Sequence, residues 1–135
     1  MRGWTHGLAL AAALSACGAQ GDSQTSSLLR QGRQYTAWLY GSQYEKLWDR
    51  FSPDMRQTFG SVSELATFAG QAVTRLGQEQ GQVDEKVEAG NPLRIYSRTS
   101  TFDRSSHKML LEWTMAEDGA VTGLVLRPAL DGEAR

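Results

Sequence analysis

His107-Lys108-Met109-Leu110-Leu111-Glu112-Trp113-Thr114-Met115, then Ala116-Glu117-Asp118-Gly119, then Ala120-Val121-Thr122-Gly123-Leu124-Val125-Leu126-Arg127 reads as two strands around a turn. Asp-Gly enters positive φ readily, and a two-residue hairpin loop needs that conformation. With Asp118-Gly119 as the turn, Glu117 faces Ala120, Met115 faces Thr122, Trp113 faces Leu124 and Leu111 faces Leu126. One face of the hairpin then carries Met109, Leu111, Trp113, Met115, Leu124 and Leu126, and the other carries Leu110, Glu112, Thr114, Val125 and Arg127. The first face is too apolar to stand in water and needs a covering layer.

Upstream the period is also two. Val83, Glu85, Val87 and Ala89 alternate with Asp84, Lys86 and Glu88, a polar strand suited to a sheet edge. Gly90-Asn91-Pro92 is turn chemistry, and Leu93 to Phe102 reads as the next strand. A four-residue loop, Asp103 to Ser106, sets Phe102 against His107 and puts Arg94, Tyr96 and Arg98 on the face of Trp113. A loop one residue different turns all three to the other face. Gln78 to Gln82 reads as a loop.

The covering layer comes first in the chain. Leu28, Gly32, Tyr35 and Leu39 recur at helical spacing, with Ala37 and Trp38 beside them and Arg30 and Arg33 off the stripe. Tyr44, Leu47, Trp48 and Phe51 mark a second helix. Ser52-Pro53-Asp54 then restarts a turn, with Met55 and Phe59 on its apolar side. Ser61 and Glu64 form a capping box for the third helix, whose expected buried face is Leu65, Phe68, Ala69, Ala72, Val73 and Leu76, with Gly77 as its stop. The expected architecture is α+β: N-terminal helices packed on a curved antiparallel sheet of four or slightly more strands.

The N-terminus is of another kind. Met1 to His6 carries Arg2, Gly7 to Ala16 is an uncharged run rich in Leu and Ala, and Cys17 follows. The run is shorter than the ~20 apolar residues that cross a bilayer and has the layout of an export signal. Leu14-Ser15-Ala16-Cys17 resembles the lipobox of bacterial lipoproteins. That likeness implies cleavage before Cys17 and acylation of its thiol, with acyl chains such as palmitate anchoring the chain to the membrane of the cell envelope. The expected divisions are 1–16 signal, 17–27 lipidated Cys and flexible tether, 28–128 folded domain, and 129–135 polar tail.

Composition removes several classes. Across 135 residues, 14 Lys+Arg against 15 Asp+Glu leaves a formal charge of -1, which supplies no phosphate-neutralising surface for nucleic acid. One Cys excludes a disulfide framework and a Cys-rich zinc site. His107 has no second ligand near it in sequence, so no metal is expected. Ser105-Ser106-His107-Lys108 contains a Ser-x-x-Lys tetrad, but its usual partner motifs do not occur and it falls in a hairpin. Gly-x-Ser-x-Gly, Walker and dinucleotide patterns are also missing, so neither a cofactor nor a catalytic residue is assigned.

Tyr35-x-x-Trp38-Leu39-Tyr40-Gly41 and Leu47-Trp48-x-x-Phe51-Ser52-Pro53-x-Met55 precede Ile95-Tyr96-x-Arg98. The chain closes on Asp118-Gly119-x-Val121-x-Gly123-Leu124-x-Leu126-x-Pro128. Together these motifs resemble the nuclear-transport-factor-2-like cone fold, in an exported bacterial branch of unknown function. The resemblance spans about Leu28 to Pro128 and consists of packing and turn residues. It implies a stand-alone binding module. The candidate pocket residues are Tyr35, Tyr40, Arg94, Tyr96, Arg98 and Trp113, the last four through the strand register given above. Two guanidinium groups beside aromatic rings suit a carboxylate or phosphate ligand. The expected function is binding of a small ligand or a protein partner, or a homodimer through the open sheet face. The alternatives are a small isomerase or cyclase using the cone cavity, and a regulatory domain for a separate hydrolase.

Overall fold

The computed structural model describes residues 19–90 and 92–130. The signal segment, Cys17, Asn91 and the end of the polar tail lie outside the described residues. Among the described residues four helices precede four strands: α1 Ala19–Tyr40, α2 Tyr44–Asp49, α3 Pro53–Phe59, α4 Val62–Leu76, β1 Glu79–Ala89, β2 Arg94–Phe102, β3 Met109–Met115 and β4 Val121–Pro128. The strands form one antiparallel meander in the order β1-β2-β3-β4. The result is α+β, with the helices N-terminal to a curved, unclosed sheet.

α1 starts earlier than its apolar stripe. The residues from Ala19 to Ser27, expected as a flexible tether, are helical. Their Gly, Ser, Thr and Asp content is poor for helix, and the packed stripe beyond them supplies the nucleus on which they extend. Leu28, Gly32, Tyr35 and Leu39 are buried as the spacing predicts. The second expected helix is divided. Ser52 is extended, with ψ 161°, as a residue before proline tends to be. Phe51 consequently leaves the helix and bridges Val121 in parallel. Pro53 opens α3, and the Ser52 hydroxyl accepts from Met55 N–H at 3.2 Å.

α4 is capped as expected: the Ser61 hydroxyl accepts from Glu64 N–H at 3.1 Å. Leu65, Ala69 and Leu76 are buried, but Phe68 is 43% exposed and does not belong to the buried face. α4 packs mainly on α2, with smaller contacts to α1 and α3. Phe68 therefore meets the Phe59 ring, 5.4 Å away, at the rim of the core.

β1 begins at Glu79, where a loop was expected. Its two register shifts, between Glu79 and Gly81 and between Gln82 and Asp84, let a polar, Gly-containing run pair with β2 without apolar alternation. Val83 falls at the second shift and is exposed.

The β3–β4 turn also differs. Ala116 N–H donates to Ala120 C=O at 2.8 Å, and Gly119 N–H donates to Ala116 C=O at 2.9 Å. The loop is thus Glu117-Asp118-Gly119, with Gly119 at φ +87°, a three-residue turn ending in a left-handed glycine. Met115 consequently pairs with Val121 rather than Thr122. A bulge at Thr122 restores the phase, so Trp113 pairs with Leu124 and Leu111 with Leu126. In β2 the register is that of the four-residue loop: Arg94 opposes Met115, Tyr96 opposes Trp113 and Arg98 opposes Leu111.

The core lies between α1 and the concave side of the sheet, around Tyr35, Leu47, Leu65, Tyr96, Leu111, Trp113, Met115 and Val121. A second cluster, Leu76, Phe102 and Met109, extends it toward the β2–β3 end.

Candidate functional site

Tyr96 is central to the concave side. It sits at mid-β2 opposite Trp113, and both side chains are fully buried. The two rings are held from the helix side. Gly32 of α1 stands directly over Tyr96, where a Cβ would lie 2.1 Å from the ring carbon Cγ. The Trp113 indole N–H donates to the Thr36 hydroxyl at 3.0 Å, and that hydroxyl donates to Gly32 C=O at 2.7 Å. Tyr35 closes on Trp113 edge-on at 5.9 Å. Its hydroxyl donates to Gly119 C=O at 2.6 Å and accepts from Arg50 Nε at 3.2 Å. Aromatic side chains thus fill the space between α1 and this side of the sheet.

A charged network borders the rings. The Tyr96 hydroxyl donates to Glu85 Oε2 at 2.5 Å. The same carboxylate receives the Arg33 fork from α1, with Nε at 3.0 Å and Nη2 at 2.5 Å. Next along the sheet, Arg98 makes a two-armed contact with Glu79, with Nε at 2.9 Å. The Glu85 side chain keeps 8% exposure while Arg33 keeps 58%, so the pair runs from the interior to the surface. The Arg33 hydrogen bonds hold Glu85 below the usual carboxylate range, with Tyr96 adding and burial opposing. Burial, reinforced by the hydrogen bond to Glu85, pushes the Tyr96 hydroxyl up to about 12. Tyr40 stands farther along, edge-on to Phe102 at 5.6 Å, and burial raises its pKa, with the Glu79 charge adding.

The six expected pocket residues therefore fall in four places. Tyr35 and Trp113 are core, Tyr96 and Arg98 belong to the network, and Tyr40 joins the second cluster. Arg94 lies near the β1–β2 turn, where it lines a polar recess of about 310 Å³ with Gln24, Ala89, Gly90, Pro92 and Glu117.

Sequence reasoning passed over Glu79, Glu85 and Arg33. Glu79 lies where a loop was read, and Arg33 lies off the helical stripe. Glu85 had left a trace, because it is in phase with Val87 on the apolar side of its strand. Chemically, a guanidinium grips an outside anion best through a two-armed fork, and the Nε–Nη2 forks of Arg33 and Arg98 are directed at Glu85 and Glu79. A general base needs a carboxylate poised near working pH, and Glu85 is shifted the other way.

The Ser105 hydroxyl accepts from His107 N–H at 3.2 Å and donates to His107 C=O at 2.9 Å, the role of a loop residue. Among the described residues no cluster of three or more His, Cys, Asp or Glu is arranged to hold a metal. None of the described helices is long and apolar enough to cross a membrane.

One apolar feature reaches the surface. Trp48, Phe51, Phe59 and Phe68 follow one another at ring separations of 5.9, 5.7 and 5.4 Å. The series ends beside a slot of about 190 Å³ between α4 and the sheet, lined chiefly by Phe68, Ala72, Leu76, Met109 and Leu126. No family model, curated protein or solved structure matches this chain.

Proposed function

We propose that this chain is a bacterial envelope lipoprotein, acylated at Cys17, whose folded part is a non-catalytic cone-like domain of the nuclear-transport-factor-2-like kind that binds its partner at its surface. Helices covering the concave side of an unclosed antiparallel meander support the cone reading. The observation that carries the binding role is the filled and neutralised concave side. Tyr96 and Trp113 occupy the centre, and Arg33 and Arg98 are directed at the two carboxylates beside them. An isomerase or cyclase requires an inward acid or base with its pKa moved toward neutrality, whereas Glu85 moves away from it. α1 is already helical at Ala19, so in this reading the chain that follows the anchor is helical from that residue onward.

Membrane fractionation of the full chain expressed in a bacterium tests the anchor. The parent chain is expected in the membrane fraction, and Cys17→Ser is expected in the soluble fraction, because the acyl chains supply the bilayer affinity. A Cys17→Ser chain that stays with the membrane overturns the lipoprotein reading.

A further inference from the structure

The two edges of the sheet are not alike. The β1 edge carries Asp84, Lys86 and Glu88, is broken by two register shifts, and is tied to α1 through Glu85 and Arg33. Charges, bulges and a covering helix are the devices by which proteins keep an edge from pairing. Past the bulge at Thr122, the β4 edge has none of them from Gly123 to Leu126. Its residues there are Gly, Leu, Val and Leu, and its first charge is Arg127. Only its start is covered, where Val121 C=O accepts from Ser52 N–H at 2.9 Å and Val121 N–H donates to Arg50 C=O at 2.8 Å. Among the described residues no other strand or loop pairs with it.

The direction of its backbone groups follows from the end of the strand. Ala129 N–H donates to Lys108 C=O at 2.8 Å, toward β3. Backbone groups alternate sides along a strand, so those of Arg127 and Val125 also turn to β3. Those of Leu126 and Leu124 turn to the open edge. Pro128 has the same outward phase and no N–H to leave unpaired, a usual place for proline in a sheet.

We propose that β4 pairs antiparallel with β4 of a second copy about a two-fold axis at Val125, joining the two sheets into one of eight strands. The outward-facing Leu124 and Leu126 are symmetric about Val125, so this register lets both pair across the axis. Leu124 exchanges both backbone hydrogen bonds with the partner's Leu126, and Leu126 with the partner's Leu124. Thr122 meets the partner's Pro128, and Val125 meets the partner's Val125 as a non-hydrogen-bonded pair. Arg127 falls opposite the partner's Gly123, so no like charges face each other. On the concave side the partner's Leu124 and Leu126 come beside the slot of Phe68, Ala72, Leu76 and Met109, extending the apolar surface there. On the other side Val125, 40% exposed in the single chain, is covered. The proposal deepens the partner-binding part of the proposed function and is independent of the anchor, so Cys17→Ser release and the test below fail separately.

Cysteine placed at the axis reads the register directly. A non-hydrogen-bonded antiparallel pair has its Cα atoms about 4.5 Å apart, within disulfide range. The full chain carrying Val125→Cys is expected to give, under mild oxidation in the expressing cells, a reducible species of twice the chain mass. The parent chain sets the background, and Val83→Cys, at 43% exposure on the opposite edge, is the control for an exposed strand thiol. Val125→Lys sets two charges against each other at the axis, and in detergent it is expected to reduce the sedimenting dimer at least tenfold while leaving the circular dichroism unchanged. Crosslinking of Val125→Cys no greater than that of Val83→Cys overturns the proposal. So does a Val125→Cys adduct of another mass, or an unaltered dimer fraction in Val125→Lys.

Discussion

A methyl group on Gly32 would lie 2.1 Å from Cγ of Tyr96, closer than packed carbon atoms come. Replacing glycine with alanine inside a helix ordinarily stabilises it by about 1 kcal/mol, whereas overfilling a packed core costs about 1–3 kcal/mol. Here the clash is with a buried aromatic ring that is also hydrogen-bonded to Glu85, so it cannot move aside freely. Gly32→Ala is therefore expected to lower the urea midpoint, by about 1–3 kcal/mol of stability. A more stable variant would show that α1 does not rest on Tyr96. The sequence placed Gly32 in the helical stripe and Tyr96 on the strand face. It did not say that one stands on the other, because that depends on how the helix crosses the sheet.

At the scale of elements, local chemistry was legible wherever a side chain acts on its own backbone. Ser61 caps α4 and Ser52 caps α3. Ser61→Ala is expected to lower stability by about 1 kcal/mol and to cost α4 early protection in amide hydrogen exchange. Unchanged exchange over Val62–Leu65 would remove the cap from the account. The β3–β4 hairpin shows where such reading errs. Its loop is one residue longer than Asp-Gly alone suggested, which would by itself send every β4 side chain to the wrong face. The bulge at Thr122 cancels the error, because burying Leu124 and Leu126 beside Trp113 outweighs one lost ladder pair. Phe68 fell out of the expected core for a similar reason: periodicity gives a helix an apolar side but does not say how far that side is covered.

For the whole molecule, the Arg33–Glu85–Tyr96 network ties the helical layer to the sheet, and its effect depends on pH. Glu85 has a lower pKa in the folded chain than in the unfolded one. Its contribution is therefore fully present above the usual carboxylate value of about 4.3 and is lost as pH falls through the depressed folded value. Urea unfolding of the parent chain is expected to show a decline in stability across that acid window. Glu85→Gln is expected to be less stable at neutral pH and to converge with the parent chain at the acid end. Parallel pH curves for the two chains would remove Glu85 from the linkage. The neighbouring Glu79–Arg98 pair was equally hidden in the sequence, since Glu79 sits in a polar run that becomes strand only because β2 offers it a backbone to pair with.

What the sequence determined by itself is what short-range chemistry and period control: the helix-first α+β order, the caps of α3 and α4, and the apolar face of the β3–β4 hairpin. The tertiary structure alone decided the length of α1 and β1, the parallel bridge at Phe51, and the filling of the concave side by Tyr96 and Trp113. It also decided the pairing of Arg33 with Glu85 and of Arg98 with Glu79. These depend on contacts between residues far apart in the chain, whose energies come from burial and desolvation. No local pattern carries that information until the layers have met.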